Sequence, residues 1–491
     1  MPLILPGNVA SAVSGAFEVA NSCRLNNDDG PYMHKTPDAG NVDRWTYSMW
    51  FKRCSTGVDT PLFGASPAAS NDFMNLTIRS SDDMDWSQYN YGTSAYEGRL
   101  LTTRKFRDPS AWYHLVAVWD SANGTAGNRM RIYINGVEET VFTTDTNPSS
   151  GQDSLINSAI PQVVGGQVSG PVGFDGYLAE VYFIDGTVYG PTDFGEFDED
   201  SPTIWKPIDA SGLTFGTNGF YLDFEASDNL GNDANGGTDL TEVSLDATDQ
   251  ATDTPTNSFC TWNPLVTYYS DTVFTQGNLT QTSATGEGGI AFEVGTFGLT
   301  AGKWYWEAKM TTFTTSGGHI RIGVSDAIPI SDPNYFAYNA NSAYSSGQFA
   351  FYSANGNIYH GADGDGGNDA YGNAWNQANG GQGVIISVAM DLDNNKLYFA
   401  KDGTWEASGD PAAGSNGFTI TAATSTSGGL YMPAMGQQDD KVQVTETNFG
   451  GCPAFAISSG NADDNGYGNF EYDVPAGFLA ICTKNLGSDG G

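Results

Sequence analysis

Long apolar runs, helical periodicity, basic residues, paired cysteines and clustered histidines are all scarce in this 491-residue chain. No stretch approaches the roughly 20 consecutive apolar residues that span a bilayer, so no membrane insertion is expected. Lys and Arg number 20 against 57 Asp and Glu, a formal net charge of −37. Such a surface repels nucleic acid and anionic lipid, and neither is expected as a direct partner. The five cysteines (Cys23, Cys54, Cys260, Cys452, Cys482) are odd in number and far apart. They make no CxxC pair and no disulfide framework, and read as free core thiols. The four histidines (His34, His114, His319, His360) show neither H-x-H nor H-E-x-x-H spacing, which leaves zinc and His-based acid–base chemistry little support. A G-x-S-x-G elbow and a phosphate-cradling G-x-x-x-x-G-K-S/T are also missing. The opening MPLILPGNVASAVSG has no basic residue before Arg24, so it lacks the charged start of a signal peptide, and release by lysis is the expected route out of a cell.

What the chain has is turn chemistry and aromatics. It carries 62 glycines and 21 prolines, and aromatics make up 13% of it, a composition that suits strands joined by tight turns. Patterns at i, i+3, i+4 are hard to find, and the expected class is all-β. The clearest stretch is Ser387–Trp405, SVAMDLDNNKLYFAKDGTW. Val388 and Met390 share a face, as do Leu397 and Phe399, because a strand repeats every two residues. Turns fall at Asp393–Asn395 and Asp402–Gly403. The same phrase occurs at Leu115–Glu138, where Val116 and Val118 lead to Trp119–Asp120 and Arg131–Ile134 ends in an Asn135–Gly136 turn. One hairpin idiom stated twice predicts two related β-sandwiches in tandem. The expected boundaries are an N-terminal attachment segment at 1–20, a first sandwich at 21–225, an acidic Gly/Asn/Asp linker at 226–264, and a second sandwich at 265–491 with a last strand at Phe478–Cys482. In the first sandwich Trp45, Tyr47, Met49 and Phe51 fall on one face, and Phe73–Ile78 alternates. Asp82–Tyr96 breaks the alternation and reads as a loop or an edge hairpin.

Taken together, SMWFKR, WYHLVAVWD, RIYINGV and FDGYLAEVYFIDG resemble laminin-G/concanavalin A-like jelly rolls. The continuation FGEFDED, WKP, GTNGFYLDF and DTPTNSFCTWNPL is similar to virion proteins of marine tailed bacteriophages, of the tail-fibre or laminin-G type, over about Leu25–Leu265. In the second half GKWYWE, RIGVSD, DLDNNKLYFAKDG and NFG resemble a SPRY domain over about Gly288–Gly450, although the Gly/Asn/Tyr/Ser tract between Pro333 and Gly383 departs from its pattern. The resemblance implies a non-enzymatic virion protein, a fibre or spike meeting a glycan or other receptor on the host surface. It further implies a symmetric homo-oligomer, with a trimer favoured, and contact with other virion proteins through the N-terminal segment. Such a protein is made in the host bacterial cytoplasm and released in the virion. The rival readings are a capsid or tail decoration without host contact and, less well supported, a glycan-degrading enzyme.

The enzyme reading requires two opposed carboxylates. Glu196, Asp198 and Asp200 in GEFDEDS come nearest to a glucanase pattern, but with Asp in the last place and after a Pro191–Gly195 turn. Calcium is considered at Asp363, Asp365 and Asp369 in GADGDGGND, and in the comparable cluster Asp228–Asp233, where carboxylates could gather around a hard cation; no Glu stands at the twelfth position of an EF-hand. Sugar C–H faces stack on aromatic rings, with loop polar groups fixing their orientation. Candidate ligand-binding residues are therefore Trp86, Tyr89, Tyr91 and Tyr96 in the first half, and Tyr371 and Trp375 in the second, with Tyr335, Tyr338 and Tyr344 in the same tract.

Overall fold

The strand Arg44–Arg53 sets out how the first half is built. Its odd-numbered residues Trp45, Tyr47, Met49 and Phe51 are buried on one face, and Thr46, Ser48, Trp50 and Lys52 are buried on the other. Both faces are covered, so three layers are needed, not two. The structure is a computed structural model that describes residues 3–5, 17–67, 70–167, 170–267, 272–283, 290–313, 319–328, 336–337, 347–360, 367–438 and 442–488. Two units separate, Val13–Asn257 and Ser258–Gly491, the latter joined by Met1–Ala12. The expected all-β class and jelly-roll architecture hold; among the described residues the only α-helix is Thr483–Ser488.

In the N-terminal unit one sheet runs, in spatial order, Val137–Glu138, Met130–Ile134, Trp112–Asp120, Arg44–Arg53, Gly176–Asp185, Ser22–Leu25 and Gln250–Ala251, with Phe220–Leu222 also on Gly176–Asp185. The facing sheet runs Phe142–Thr146, Ala95–Thr102, Met84–Asn90, Phe73–Ile78, Thr60–Ala65, Gln162–Val164, Tyr32–Lys35 and Thr241–Val243. Their inner faces meet in a core centred on Trp45, Trp86 and Trp119, where Trp45 lies parallel to Trp119 at 6.3 Å and edge-on to Trp86 at 5.6 Å. Offset and edge-to-face rings of this kind add about 0.5–1.5 kcal/mol per pair beyond the area they bury. The outer face of the first sheet is covered in turn by the 187–215 segment through Phe194, Phe215 and Trp205.

Two expectations change here. Asp82–Tyr96 is a hairpin, turning at 91–94, but not at the edge: Met84–Asn90 is an interior strand between Phe73–Ile78 and Ala95–Thr102, and Phe142–Thr146 lies outside the latter. Its charges hide the alternation, because Met84 and Trp86 point in while Asp85 and Ser87 occupy the other face. The stretch 226–264 is not a tether either. Leu230 and Leu240 enter the first core, Thr241–Val243 pairs with Tyr32–Lys35, and Gln250–Ala251 pairs with Ser22–Leu25. Few apolar residues were enough, because the Asp and Asn side chains satisfy backbone amides, as Asp233 does for Tyr221 N in a strand at 3.0 Å and Asn235 N in a turn at 3.1 Å.

The second unit repeats the plan. One sheet runs Trp262–Thr267, Ile290–Gly295, Met432–Gln438, His319–Ser325, Gln348–Tyr352, Asn357–His360 and Asn368–Ala370. The other runs Val273–Thr275, Thr280–Thr282, Gln443–Asn448, Lys303–Phe313, Ile385–Asp391, Lys396–Lys401 and Thr404–Trp405; Phe418–Thr419 joins Lys396–Lys401 and Leu479–Ala480 joins Lys303–Phe313. Val388 pairs with Phe399 and Met390 with Leu397, so the two faces read from the alternation meet across the hairpin. The tail again covers an outer face: Phe470, Phe478 and Ala480 bury Tyr305, Ala389 and Tyr398. At the other end of the chain, Ile4 donates to Thr296 O at 2.8 Å and accepts from Gly298 N at 3.0 Å, a parallel bridge inside this unit. The described part of the expected attachment segment is therefore already paired. Proline on either side of Leu3–Leu5 keeps it extended and ready for such pairing.

Candidate functional site

Rings gather on the outer face of the second sheet of the N-terminal unit. The register there is Phe73 opposite Tyr89 opposite Tyr96, then Asn75 opposite Ser87 opposite Arg99, then Thr77 opposite Asp85. Period-two alternation sends these residues out and Met74, Leu76, Ile78 and Trp86 in. A bulge between Gln88 and Tyr89 shifts the register by one and brings Tyr96 against Tyr89. Phe73 and Tyr89 stack at 5.6 Å, Tyr96 meets Tyr89 edge-on at 4.9 Å, and the Arg99 guanidinium lies 4.5 Å over the Tyr96 ring. Tyr91, in the turn that follows, stands 6.3 Å from Tyr89. Tyr91 and Tyr96 keep 59% and 41% of their surface in water, unusual for rings beside a well-packed core.

Polar groups hold this platform in place. Asp85 takes the Arg99 guanidinium at 3.1 and 3.2 Å from Nε, and this hydrogen bond raises the Arg99 pKa. Glu97 accepts from Gln88 at 2.9 Å, Asn90 at 2.9 Å and Gln152 at 3.2 Å, which ties the tip of the hairpin to the 149–157 loop. Asp72 receives the Tyr91 amide at 2.6 Å. Next to the rings Asn75 lies across Gly64, where a Cβ would stand 2.4 Å from Asn75 Oδ1. The result is a strip of π faces edged by amides and an ion pair, suited to stacking and hydrogen bonding with a ligand that has one apolar face.

Of the expected residues, Tyr89, Tyr91 and Tyr96 come together here. Trp86 does not: it is fully buried in the core, because its position in the strand points inward. Trp375 is likewise buried, stacked on Phe351 at 5.6 Å, so it offers no ring to a ligand. Tyr371 lines a cleft in the second unit together with Asp369, whose Oδ2 is 3.0 Å from His360 Nε2. Asp363 and Asp365, and Tyr335, Tyr338 and Tyr344, lie outside the described residues. Among the described residues no three metal-ligating side chains converge. In the Asp228–Asp233 cluster, Asp233 serves backbone amides, and Asp239 accepts from Asp233 N and Asn229 at 3.0 and 2.9 Å. Glu196 and Asp198 share Lys206 at 3.4 and 3.5 Å, and Asp198 caps the turn at Asp200 and Ser201. Phe73 and Arg99 were not singled out from the sequence. Their signal was available in the alternation of FMNLTI and in cross-strand pairing with YEGRLL, once the hairpin between them is accepted.

Residues 27–189 match the family described as the concanavalin A-like lectin/glucanases superfamily, and residues 303–450 match the SPRY domain. The chain thus carries a concanavalin A-like domain followed by a SPRY domain. Solved structures similar to it include the SPRY domain of human HERC1, at 15% identity over 39% of this chain and 97% of that one, with a TM-score of 0.28. A heptameric SAP-like pentraxin from Limulus polyphemus shows 16% identity over 35% and 80%, with a TM-score of 0.27. A Bacteroides ovatus protein named for carbohydrate binding shows 15% identity over 46% and 58%, with a TM-score of 0.31. No curated protein matches the chain.

Proposed function

We propose that this is a non-enzymatic binding protein that takes carbohydrate on the Phe73, Tyr89, Tyr91 and Tyr96 face of its concanavalin A-like unit. The observation that carries the reading is the pre-ordered row of rings, with Tyr91 and Tyr96 exposed and Phe73 and Tyr89 half-buried beneath them. Burying the C–H face of a sugar there removes apolar surface from water on both sides, while Arg99 and Asn75, in the same outward row, are placed to meet its hydroxyls. Strand-borne rings lose little freedom on binding, which favours affinity.

The setting proposed is a virion, as a fibre or spike contacting the host surface, supported by the phrases FGEFDED, GTNGFYLDF and DTPTNSFCTWNPL described above. The copies would assemble as a symmetric homo-oligomer, a trimer in the simplest case. A surface of net charge −37 suits this setting, since it suppresses non-specific adhesion to nucleic acid released on lysis. The test is a glycan array probed with the full chain, followed by titration calorimetry on any sugar retained. Tyr91→Ala with Tyr96→Ala should weaken binding about tenfold or more without lowering the melting temperature, because both rings are largely outside the core. A wild-type chain that retains no glycan would overturn the carbohydrate reading, and labelled protein that fails to adhere to any host cell would overturn the setting.

A further inference from the structure

The cleft in the second unit does not belong to the ring platform and has chemistry of its own. One wall comes from the first sheet of that unit. Phe349 and His360 are cross-strand partners, and Asp369 follows on the neighbouring strand. The other wall is Asn416–Thr421, which includes the short strand Phe418–Thr419 on the second sheet, with Tyr371 and Ala407 completing the lining. The volume is about 670 Å³, enough for one or two sugar rings.

Three features separate this cleft from an ordinary packing gap. Phe349, Phe351 and Ile358 lie on the same inner face as His360 and are buried, so a core position there calls for an apolar side chain. His360 is nevertheless buried there, and it reaches Asp369, whose side chain is 62% exposed. The pair therefore carries a carboxylate from the inside of the sandwich to its opening. Second, rings surround the space: His360 and Phe418 are 5.5 Å apart, Phe349 and Phe418 6.2 Å, and Tyr371 and Phe418 6.4 Å. Third, charges of both signs stand around it, the Glu406 carboxylate near Tyr371 among them. Lys396 Nζ donates to Thr419 Oγ1 at 2.7 Å, so a cation stands behind one wall and the Asp369 carboxylate at the other. An anion gains little beside these carboxylates, while a neutral molecule with hydroxyls at its edge and C–H groups on its face meets rings, a carboxylate oxygen, a threonine and an asparagine.

We infer that this cleft is a second ligand site, separate from the platform, and that it takes a neutral sugar ring with Asp369 accepting from its hydroxyls and Phe349 and Phe418 meeting its face. The inference is tested on the full chain carrying Tyr91→Ala and Tyr96→Ala, by saturation-transfer NMR with the methyl glycosides of glucose, galactose, mannose and N-acetylglucosamine. Methylguanidinium and acetate serve as charged probes. At least one glycoside should receive saturation in this background. Adding Asp369→Asn should weaken that binding about tenfold, the size of a charge-assisted hydrogen bond, with no change in melting temperature because the carboxylate is exposed. Loss of all glycoside signal in the Tyr91/Tyr96 background, insensitivity to Asp369→Asn, or saturation of a charged probe alone would each overturn it. The first outcome leaves the platform reading standing. Glycoside binding that Asp369→Asn abolishes and the tyrosine changes do not touch would instead uphold this site and remove the platform.

Discussion

Lys52 and Asp253 are 2.7 Å apart with 0% and 2% of their side chains exposed, and Trp112 Nε1 donates to the other carboxylate oxygen at 3.0 Å. The pair fastens the end of the N-terminal unit onto its central strand. Removing one partner strands a buried charge, so Asp253→Ala should destabilise this unit by about 3–5 kcal/mol in denaturant titration, whereas a paired apolar replacement of both residues should recover most of the loss. His114 gives a pH-dependent counterpart. Burial drives its pKa down to about 3, and its two nitrogens are spoken for: Trp205 Nε1 donates to Nδ1 at 2.9 Å, which leaves Nε2–H for Ser48 Oγ at 2.9 Å. Unfolded histidine titrates near 6.5. Between about 6.5 and 3 the unfolded chain binds a proton that the folded one refuses, so stability falls as pH falls. Glu180, raised to about 7 by burial despite two tyrosine donors, and Asp175, raised to about 6 by burial, act in the opposite sense. The contribution of His114 is therefore read as a difference. The stability gap between wild type and His114→Gln should narrow by up to about 1.4 kcal/mol per pH unit across that window, measured by denaturation at stepped pH.

At the scale of the element, the two hairpins were legible because everything they need is local. Asn135 and Gly136 have φ of 49° and 79°, and Asp402 and Gly403 have 46° and 75°, the paired left-handed residues that a two-residue turn requires. Both glycines also lie against rings: a Cβ on Gly136 would come within 2.4 Å of Trp205, and one on Gly403 within 2.7 Å of Tyr472. Gly136→Ala should therefore lower stability by about 1–3 kcal/mol, and thermal melts should show a larger loss than for Ala at Gly57, which has a similar φ and open space around it. What could not be read locally was the role of a strand whose charges are answered from a neighbour. Asp85 looks like loop chemistry until Arg99 is placed beside it, and Trp86 looks available until Trp45 and Trp119 close over it. The platform was half legible for the same reason. The tyrosines advertise themselves by composition, while Phe73 and Arg99 join them only through register. The 226–257 stretch misled because its three leucines are few, and the burial of Leu230 and Leu240 depends on strands far back in the chain such as Tyr32–Lys35.

Across the whole molecule, each unit has its own core, and calorimetry should resolve two transitions. Deleting residues 1–12 should lower only the one that belongs to Ser258–Gly491. Two backbone hydrogen bonds are lost with Ile4, and Leu3 and Leu5 no longer shield the backbone at Gly298, a loss of about 1–3 kcal/mol. A single transition, or a shift of the other one, would contradict the division. The same bridge sets a schedule for synthesis. Ile4 has no partner until Thr296–Gly298 are made, so the Val13–Asn257 sandwich that lies between them in the chain can finish folding before this bridge closes. Whatever is joined to Leu3 on its N-terminal side is thereby coupled to the Ser258–Gly491 unit rather than to the Val13–Asn257 unit that it precedes in the chain.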